Sequence, residues 1–381
     1  MKKPLIIAAV CAALLASVSV AAPASAQNRS GPPPWTAGTP VTVTSGLVTP
    51  LSLDVAGNGV SYLSQNFAGL VSQVDQRGTA SVIASAPGFE TGAVSSRNGT
   101  VYYAVVAQDH SSAVLMARSR NGTVRQVADL WAHENSENPD SVNAYGFEGL
   151  TADCLAQFPP PGPMENPPAY TGIVDTHPYS SLALSDAIYV ADAGANAIWR
   201  VGYDGTVTTV AVLPPTAPTF VTAELAAAFG FPACAAGHNY RFEPVPTDIE
   251  LGPNGWLYVT SLPGGPEDAS LGARGAVLKV NPNTGGIATV ATGFTGSTGL
   301  AVSPRSGTVY VAELFGGPNG TGQVSVVWPG ANTPVPLIAL SAPAAIELRH
   351  GNLYVTTDAL ADGKLTVVPL TGRGHSEDDG N

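Results

Sequence analysis

The feature that most constrains the fold of this chain is one short strand pattern that recurs along almost its whole length. In 188–212 an apolar β-rich run is followed by a turn, a second strand, the dipeptide Asp204-Gly205 and a third strand. Asp-Gly between two alternating apolar runs strongly predicts a hairpin. Counterparts of the first strand of this unit lie at 60–64, 101–104, 257–260, 309–312 and 353–356.

The recurrence predicts a β-propeller. Repeats of roughly 40–50 residues with four short strands each are typical of propeller blades. A β-sandwich of short strands is the alternative, but it does not require the same strand six times. We therefore expect an all-β, six-bladed β-propeller over 39–370. The expected blades are 46–87, 88–131, 177–215, 245–292, 293–340 and 341–370.

The last unit contains only three predicted strands, and a lone β-run at 40–45 precedes the first complete unit. A four-stranded last blade with no open edge results if the N-terminal strand becomes its outer strand. The sequence therefore predicts that the N-terminal strand closes the last blade.

Both ends of the chain are expected to lie outside the propeller. Residues 1–26 have a charged start at Lys2 and Lys3, an apolar centre and a small-residue site ending at Ala26, which is typical of a cleaved secretory signal peptide. We expect a flexible leader at 27–38, a disordered acidic tail at 371–381 and secretion to the extracellular space.

Charge and composition exclude several classes of partner. The formal net charge is −12, and lysine and arginine together number 16, without a basic cluster. Nucleic acids and anionic membrane surfaces require such a cluster. No second apolar run is long enough to span a bilayer, so membrane insertion is not expected. We expect a monomer.

Two cysteines, Cys154 and Cys234, follow the signal peptide. In an oxidising compartment a lone pair most simply forms one disulfide. Neither belongs to a Cys-x-x-Cys pair, so redox catalysis is not expected.

Two long insertions, 132–176 and 216–244, separate predicted blades, and a third excursion occupies 261–273. In an antiparallel four-stranded blade, the links between blades and the turns between the second and third strands lie on one face. All three segments are therefore predicted to lie on the same face, where binding loops are commonly found.

The unit containing Asp192, Gly194 and Asn196 resembles an NHL repeat. More closely, the chain resembles the ScyD/ScyE family of secreted NHL-like propellers. The resemblance implies a secreted propeller without a settled reaction, and Asp248 departs from it by standing where a small Ser is expected. The segments that carry it are 138–140, 178–184, 189–196, 245–255 and 292–302.

Several polar residues are predicted at the rim or mouth of the central channel. A ring of carboxylates there suits a hard cation such as Ca²⁺, which can activate a water or a lactone. In this enzyme hypothesis, Asp192, Glu313 and Asp358 are metal ligands, and His177 or Asp248 is a general base. The candidate binding residues are Glu148, His177, Asp192, Asp248, Glu313 and Asp358.

Structural explanations compete with each of these roles. Asp192 belongs to a turn, Glu313 and Asp358 end strands, and His177 precedes a proline. The run 133–140 is rich in ligand atoms but lacks the spacing and glycine of a calcium loop. Nucleophile, phosphate-loop and dinucleotide motifs are absent.

Two hypotheses about function stay open. The leading one is a non-enzymatic extracellular binding or scaffold protein for an unknown small molecule or cell-surface partner. The alternative is a calcium-dependent hydrolase or lyase of a small lactone or ester, similar to gluconolactonase. The expected propeller fold does not decide between them, since propellers serve many functions.

Overall fold

A computed structural model of the chain describes residues 35–162 and 166–372. The predicted signal peptide lies outside these residues, as do most of the predicted leader and tail. The strands that lie before and within the first two complete sheets are β1 (Trp35–Ala37), β2 (Val41–Leu47), β3 (Leu53–Val55), β4 (Ser61–Gln65), β5 (Leu70–Val74), β6 (Ala80–Ser85), β7 (Phe89–Arg97), β8 (Thr100–Ala107), β9 (Ala113–Arg118) and β10 (Val124–Asp129).

The middle of the chain contains the three α-helices of the described residues together with the strands of the two long insertions. Its strands are β11 (Ala144–Phe147), β12 (Ala169–Thr171), β13 (Pro178–Ala183), β14 (Ile188–Asp192), β15 (Ala197–Val201), β16 (Val207–Val212), β17 (Thr219–Phe220) and β18 (Asn239–Arg241). The helices are α1 (Leu130–Glu137), α2 (Ala152–Leu155) and α3 (Ala223–Ala228).

The C-terminal part returns to regular four-stranded units. Its strands are β19 (Pro246–Leu251), β20 (Leu257–Ser261), β21 (Gly275–Val280), β22 (Ile287–Phe294), β23 (Ser297–Val302), β24 (Val309–Glu313), β25 (Gln323–Val327), β26 (Val335–Ala339), β27 (Ile346–Arg349), β28 (Asn352–Thr357) and β29 (Gly363–Gly372). Single-turn 3-10 helices lie at Asn66–Ala68, Pro139–Val142, Ala233–Ala235, Pro253–Gly255 and Ala269–Leu271.

Six antiparallel sheets follow one another along the described chain. The first five are β3–β6, β7–β10, β13–β16, β19–β22 and β23–β26, each pairing its strands in sequence order. The sixth contains β27, β28 and β29, and β2 pairs with β29 as its fourth strand. The predicted pairing of the N-terminal strand with the last unit is therefore confirmed.

The short strand β1 pairs with the C-terminal end of β29. Trp35 pairs with Gly372 and Ala37 with Leu370, so the end of the predicted leader and the start of the predicted tail form a strand pair. Strand β29 extends to Gly372, beyond residue 370, where the alternating apolar pattern of the sequence ends.

Apolar side chains from neighbouring sheets form the core. Six clusters of buried residues each join two consecutive sheets, and one of them joins the sixth sheet to the first through Ala345, Leu365 and Leu53. Trp199 and Tyr310 are among the largest fully buried side chains. Each sheet buries both faces, which a single four-stranded sheet cannot do alone.

Polar bonds also connect the first strands of neighbouring sheets. Most of the donors are hydroxyls and backbone amides, the Asp248 carboxylate accepts two of the bonds, and the Arg349 guanidinium donates one. The bonds are Val94 N to Ser52 Oγ at 2.8 Å, Ser181 Oγ to Ala93 O at 2.6 Å, Ser180 Oγ to Asp248 Oδ1 at 2.6 Å, Leu300 N to Asp248 Oδ2 at 2.7 Å, Thr298 Oγ1 to Ala344 O at 2.8 Å and Arg349 Nε to Val55 O at 2.7 Å.

The two long insertions form a seventh sheet, which the sequence did not predict. Its strand order is β12-β11-β18-β17, and Gly146 pairs with Arg241 across the two insertions. The predicted disulfide between Cys154 and Cys234 is present, with Cα atoms 5.8 Å apart. We call these four strands the insertion sheet.

The third excursion contacts the second insertion, as strand parity predicts. Gly264 N donates to Glu243 O at 3.0 Å. The three long segments therefore lie together. None of the helices in the described ranges is long and apolar enough to cross a membrane.

Candidate functional site

Two histidines stack where the first insertion meets the second and third sheets. Their ring centroids are 4.6 Å apart and the rings lie within 19° of parallel. His177 Nε2 lies 3.2 Å from Glu90 Oε2, and His110 Nδ1 lies 2.7 Å from Asp175 Oδ1. All four side chains are partly exposed. We call Glu90, His110, Asp175 and His177 the mouth cluster.

In the mouth cluster, His110 and Asp175 each stabilise the charged form of the other. Burial alone would lower the pKa of His110, but the hydrogen bond and charge of Asp175 outweigh it and raise that pKa. Burial disfavours the Asp175 carboxylate, yet His110 and His177 hold its pKa below the ordinary value. The pair of His110 and Asp175 therefore favours a protonated imidazole beside an ionised carboxylate.

Asp192 is fully buried directly behind this cluster. Its carboxylate accepts hydrogen bonds from Thr176 Oγ1 at 2.7 Å, His177 N at 2.8 Å and Ala195 N at 2.9 Å. Burial raises the pKa of Asp192 to about 6, although these three donors favour its charged form. Asp192 therefore fixes the backbone that carries His177.

Glu313 and Asp358 are held within their own sheets. Glu313 is buried, and it accepts from Thr295 N at 2.7 Å and Gln323 Nε2 at 2.8 Å. Asp358 pairs with Lys364 Nζ at 2.8 Å. Across 35–162 and 166–372, no group of three or more His, Cys, Asp or Glu side chains is placed to hold a metal ion. The expected calcium ring of Asp192, Glu313 and Asp358 is therefore not assembled.

Asp248 lies between sheets. It accepts from Ser180 of the third sheet and Leu300 of the fifth, while its own strand belongs to the fourth. Burial raises the pKa of Asp248 to about 6. The larger side chain at a position where Ser was expected thus has a structural use: it connects three strands.

A cavity of about 830 Å³ lies at the opposite ends of the first strands. Glu250, Glu347, Asp54 and Arg349 line it. Burial, followed by the charge of Asp248, raises the pKa of Glu250 to about 8, and burial together with Glu250 raises the pKa of Glu347. Asp54 and Glu347 come from opposite ends of the chain, so no local sequence pattern brings them together.

Glu148 lies away from the mouth cluster, at the end of β11. It forms an ion pair with Arg241, which lowers the pKa of Glu148, and its backbone carbonyl lies 3.0 Å from His238 Nδ1. This exposed residue connects the two halves of the insertion sheet.

A small apolar pocket of about 190 Å³ lies between the second insertion and the excursion 261–273. The rings of Phe231 and Tyr240 stack with centroids 6.5 Å apart, and Phe147 packs edge-on against both. The insertion cysteines brace this region. We call it the aromatic pocket, and its lining residues are Thr219, Val221, Leu225, Phe229, Phe231, Tyr240, Phe242, Gly265, Pro266 and Leu271.

The first insertion buries two further acids that the sequence did not single out individually. Burial, with the nearby charges of Asp192 and Asp140, raises the pKa of Glu134 to about 8. Burial also raises the pKa of Asp140 to about 6, against the hydrogen bonds of Asn196 and Tyr145.

Comparisons with known proteins bear on the fold. No protein-family model matches the chain, and no curated protein matches it significantly. Among solved structures, a protein of unknown function from Bacteroides thetaiotaomicron has a TM-score of 0.53 and 11% identity, covering 87% of this chain and 76% of that one. Aldose sugar dehydrogenase from Streptomyces coelicolor, solved with PQQ bound, has a TM-score of 0.52 and 12% identity over 90% and 100% of the two chains.

A gluconolactonase from Xanthomonas campestris has a TM-score of 0.50 and 12% identity, covering 87% of this chain and 89% of that one. The fold is that of a β-propeller. At these identities the likeness concerns the fold alone, so the chemistry of this propeller has to be argued from its own residues. The resemblance to the ScyD/ScyE family stays a prediction.

Proposed function

We propose that this chain is a secreted six-bladed β-propeller that acts as an extracellular binding protein. Two observations support six blades: six sheets share six core clusters, and one cluster joins the last sheet to the first. Export is supported by the disulfide, which persists in oxidising compartments.

The observation that carries the binding role is the aromatic pocket on the disulfide-braced insertion sheet. The six sheets complete their cores without these segments. A separate cluster around Phe147, Val221 and Ala235 gives the insertions a small core of their own. Long loops organised on a rigid scaffold are where binding sites commonly lie.

The size of the pocket indicates its ligand. Pockets that enclose drug-sized ligands have roughly 300–1,000 Å³, and the aromatic pocket has about 190 Å³. It therefore fits one aromatic or branched apolar group of a ligand. Phe229 and Phe231 supply stacking surfaces, which favour a flat ring.

Thermal-shift titration with indole, phenol and benzyl alcohol tests this proposal. Phe229 lines the pocket and is 41% exposed, so Phe229→Ala should weaken binding with little effect on folding. Phe220 is 60% exposed and lies outside the lining, so Phe220→Ala is the matched control. Equal losses in both variants, or no response of the wild type, would contradict the proposal.

The mouth cluster favours a second candidate function, a hydrolase or lyase of a small lactone or ester. His177 would act as general base, with Glu90 orienting its ring and Asp192 fixing its backbone. The calcium ring is not part of this candidate. Turnover of a lactone and ester panel should be lost in His177→Gln and retained in Asp109→Asn, because Asp109 is an exposed residue of the turn between β8 and β9. No turnover by the wild type would exclude this candidate for that panel.

A further inference from the structure

Within seven residues of the first insertion, four buried side-chain oxygen atoms have no hydrogen-bond partner. They are both carboxylate oxygens of Glu134, Oδ1 of Asn138 and Oδ1 of Asp140. Glu134 is 0% exposed and Asp140 1%. The backbone of Asp175 approaches the Glu134 carboxyl, but neither of its oxygens makes a hydrogen bond with ordinary geometry. A buried carboxylate without a partner is strongly unfavourable.

Local structure orients these oxygens. Asn138 ends α1 in the left-handed region, with φ 37°, and its Nδ2 donates to Gly172 O at 3.1 Å. This bond leaves Asn138 Oδ1 to face elsewhere. Asp140 Oδ2 accepts from Asn196 Nδ2 at 2.9 Å and Tyr145 OH at 3.2 Å, so the carboxylate is fixed with Oδ1 left over.

The backbone of a glycine packs directly against Asp140. A Cβ on Gly172 would lie only 2.0 Å from Asp140 Oδ1, so any larger residue would displace that oxygen. The chain therefore approaches the carboxylate as closely as a backbone can. Such a close approach is one use of glycine in irregular structure.

The surrounding charges are also negative. The charged groups that act most strongly on Glu134 are the carboxylates of Asp192, Asp140 and Asp175. Asp192 already accepts three hydrogen bonds, and Asp175 is paired with His110. Glu134, through both carboxyl oxygens, and Asp140, through Oδ1, are therefore the acids of this group that have oxygens without a partner.

We propose that Glu134, Asn138 and Asp140 bind a calcium ion at the junction of the first insertion and the third sheet. Ca²⁺ takes carboxylate and amide oxygens in flexible geometry, whereas Mg²⁺ needs near-octahedral geometry and retains several waters. Because the oxygens of Glu134, Asn138 and Asp140 are buried, the site favours Ca²⁺, which gives up its hydration water more readily than Mg²⁺. Ca²⁺ takes roughly 6–8 oxygen ligands, so backbone carbonyls or water complete the shell that these two carboxylates and one amide begin.

The proposed calcium site stabilises the first insertion and does not form part of the aromatic pocket. It joins α1 and the turn after it to Gly172, which precedes the third sheet, and to Asn196, which lies in the turn between β14 and β15 of that sheet. It shares no residue with the lining of the aromatic pocket, so its failure would leave the binding proposal unchanged.

Calorimetry and thermal unfolding of the oxidised full chain, first treated with chelator, test the site with CaCl₂. We expect one bound Ca²⁺ and a higher melting temperature, with a much smaller response to MgCl₂. Glu134→Gln and Asp140→Asn should each weaken Ca²⁺ binding at least tenfold. Glu137→Gln is the matched control, because Glu137 is exposed on the same helix.

Unchanged calcium affinity in Glu134→Gln, or equal losses in Glu134→Gln and Glu137→Gln, would overturn the proposal. The proposal would also fail if chelator does not change the stability of the wild type and Glu134→Gln is more stable than the wild type. Those two results together would mean that Glu134 is protonated and binds no ion. If both site variants fail to fold, Tb³⁺ luminescence of the wild type excited through Tyr145 decides: emission displaced by Ca²⁺ supports the site, and no emission rejects it.

Discussion

The carboxylate of Asp192 accepts the backbone N–H of His177 at 2.8 Å, so a buried acid at the end of β14 positions a histidine of the mouth cluster. The same carboxylate closes the turn before β15 through Ala195 N. Asp192 is thus a positioning residue, whether the mouth binds or reacts.

Asp192→Ala should strongly destabilise the protein. It leaves three donors without an acceptor in a buried site, and each such loss costs about 1–3 kcal/mol. We expect the free energy of unfolding to fall by about 3 kcal/mol or more in urea titrations, and by less in Asp192→Asn, which keeps an acceptor oxygen. A change in Asp192→Ala no larger than in the turn variant Asp109→Ala would argue against this role.

Asp248→Ala should weaken the contact between three neighbouring sheets. Its removal deprives Leu300 N and Ser180 Oγ of their acceptor, at a cost of about 2–6 kcal/mol for the two groups. Asp248→Ser should recover part of this loss, because a hydroxyl can accept one of the bonds. Equal urea midpoints for the wild type and both variants would contradict the structural role.

Stability should fall as pH rises from about 5 to above 8. Glu250 has a pKa raised to about 8 and Glu347 a raised pKa, so the folded protein retains protons that the unfolded chain releases above its ordinary glutamate pKa. Ionisation of Glu250 and Glu347 in the cavity therefore lowers the free energy of unfolding as pH rises. Access of solvent to the cavity reduces the size of this effect.

Glu347→Gln should flatten this decline and be more stable than the wild type at pH 8.5. Melting temperatures measured from pH 5 to pH 9 check the sign. Glu137→Gln, at an exposed position, should follow the wild-type profile. A wild-type melting temperature that rises over this range would exclude the assignment.

The double variant Cys154→Ser/Cys234→Ser should loosen the insertion sheet while the six sheets persist. The disulfide closes a loop of about 80 residues and contributes about 4 kcal/mol in the loop-entropy model. Hydrogen exchange should accelerate around β11 and β18 and stay slow in β14 and β24. Uniform acceleration would show that the insertions are part of the main folding unit.

The sequence predicted what local patterns encode. Alternation and Asp-Gly turns such as Asp204-Gly205 predict strands, and repetition predicts their grouping. The insertion sheet escaped prediction because β11 and β17 have four and two residues, too few for an alternation pattern. Its central pairing also joins Gly146 to Arg241, far apart in the chain.

The sites were harder to predict for the same reason. His177 was expected at the mouth, but its partner Glu90 precedes it by 87 residues and gives no local signal. Glu134 and Asp140 lie in a run that lacks calcium-loop spacing, and only the fold shows that their oxygens are buried. Asp192, Glu313 and Asp358 occupy similar positions in different sheets, yet each is engaged by donors of its own surroundings.

Methyl NMR with indole can locate ligand binding in the aromatic pocket residue by residue. Binding should shift the methyl signals of Val221, Leu225 and Leu271, which line the pocket from two separate segments. The methyls of Leu182 and Val302, which line the cavity of about 830 Å³, should not move. Shifts confined to Leu182 and Val302, or no shifts at saturating indole, would contradict the account.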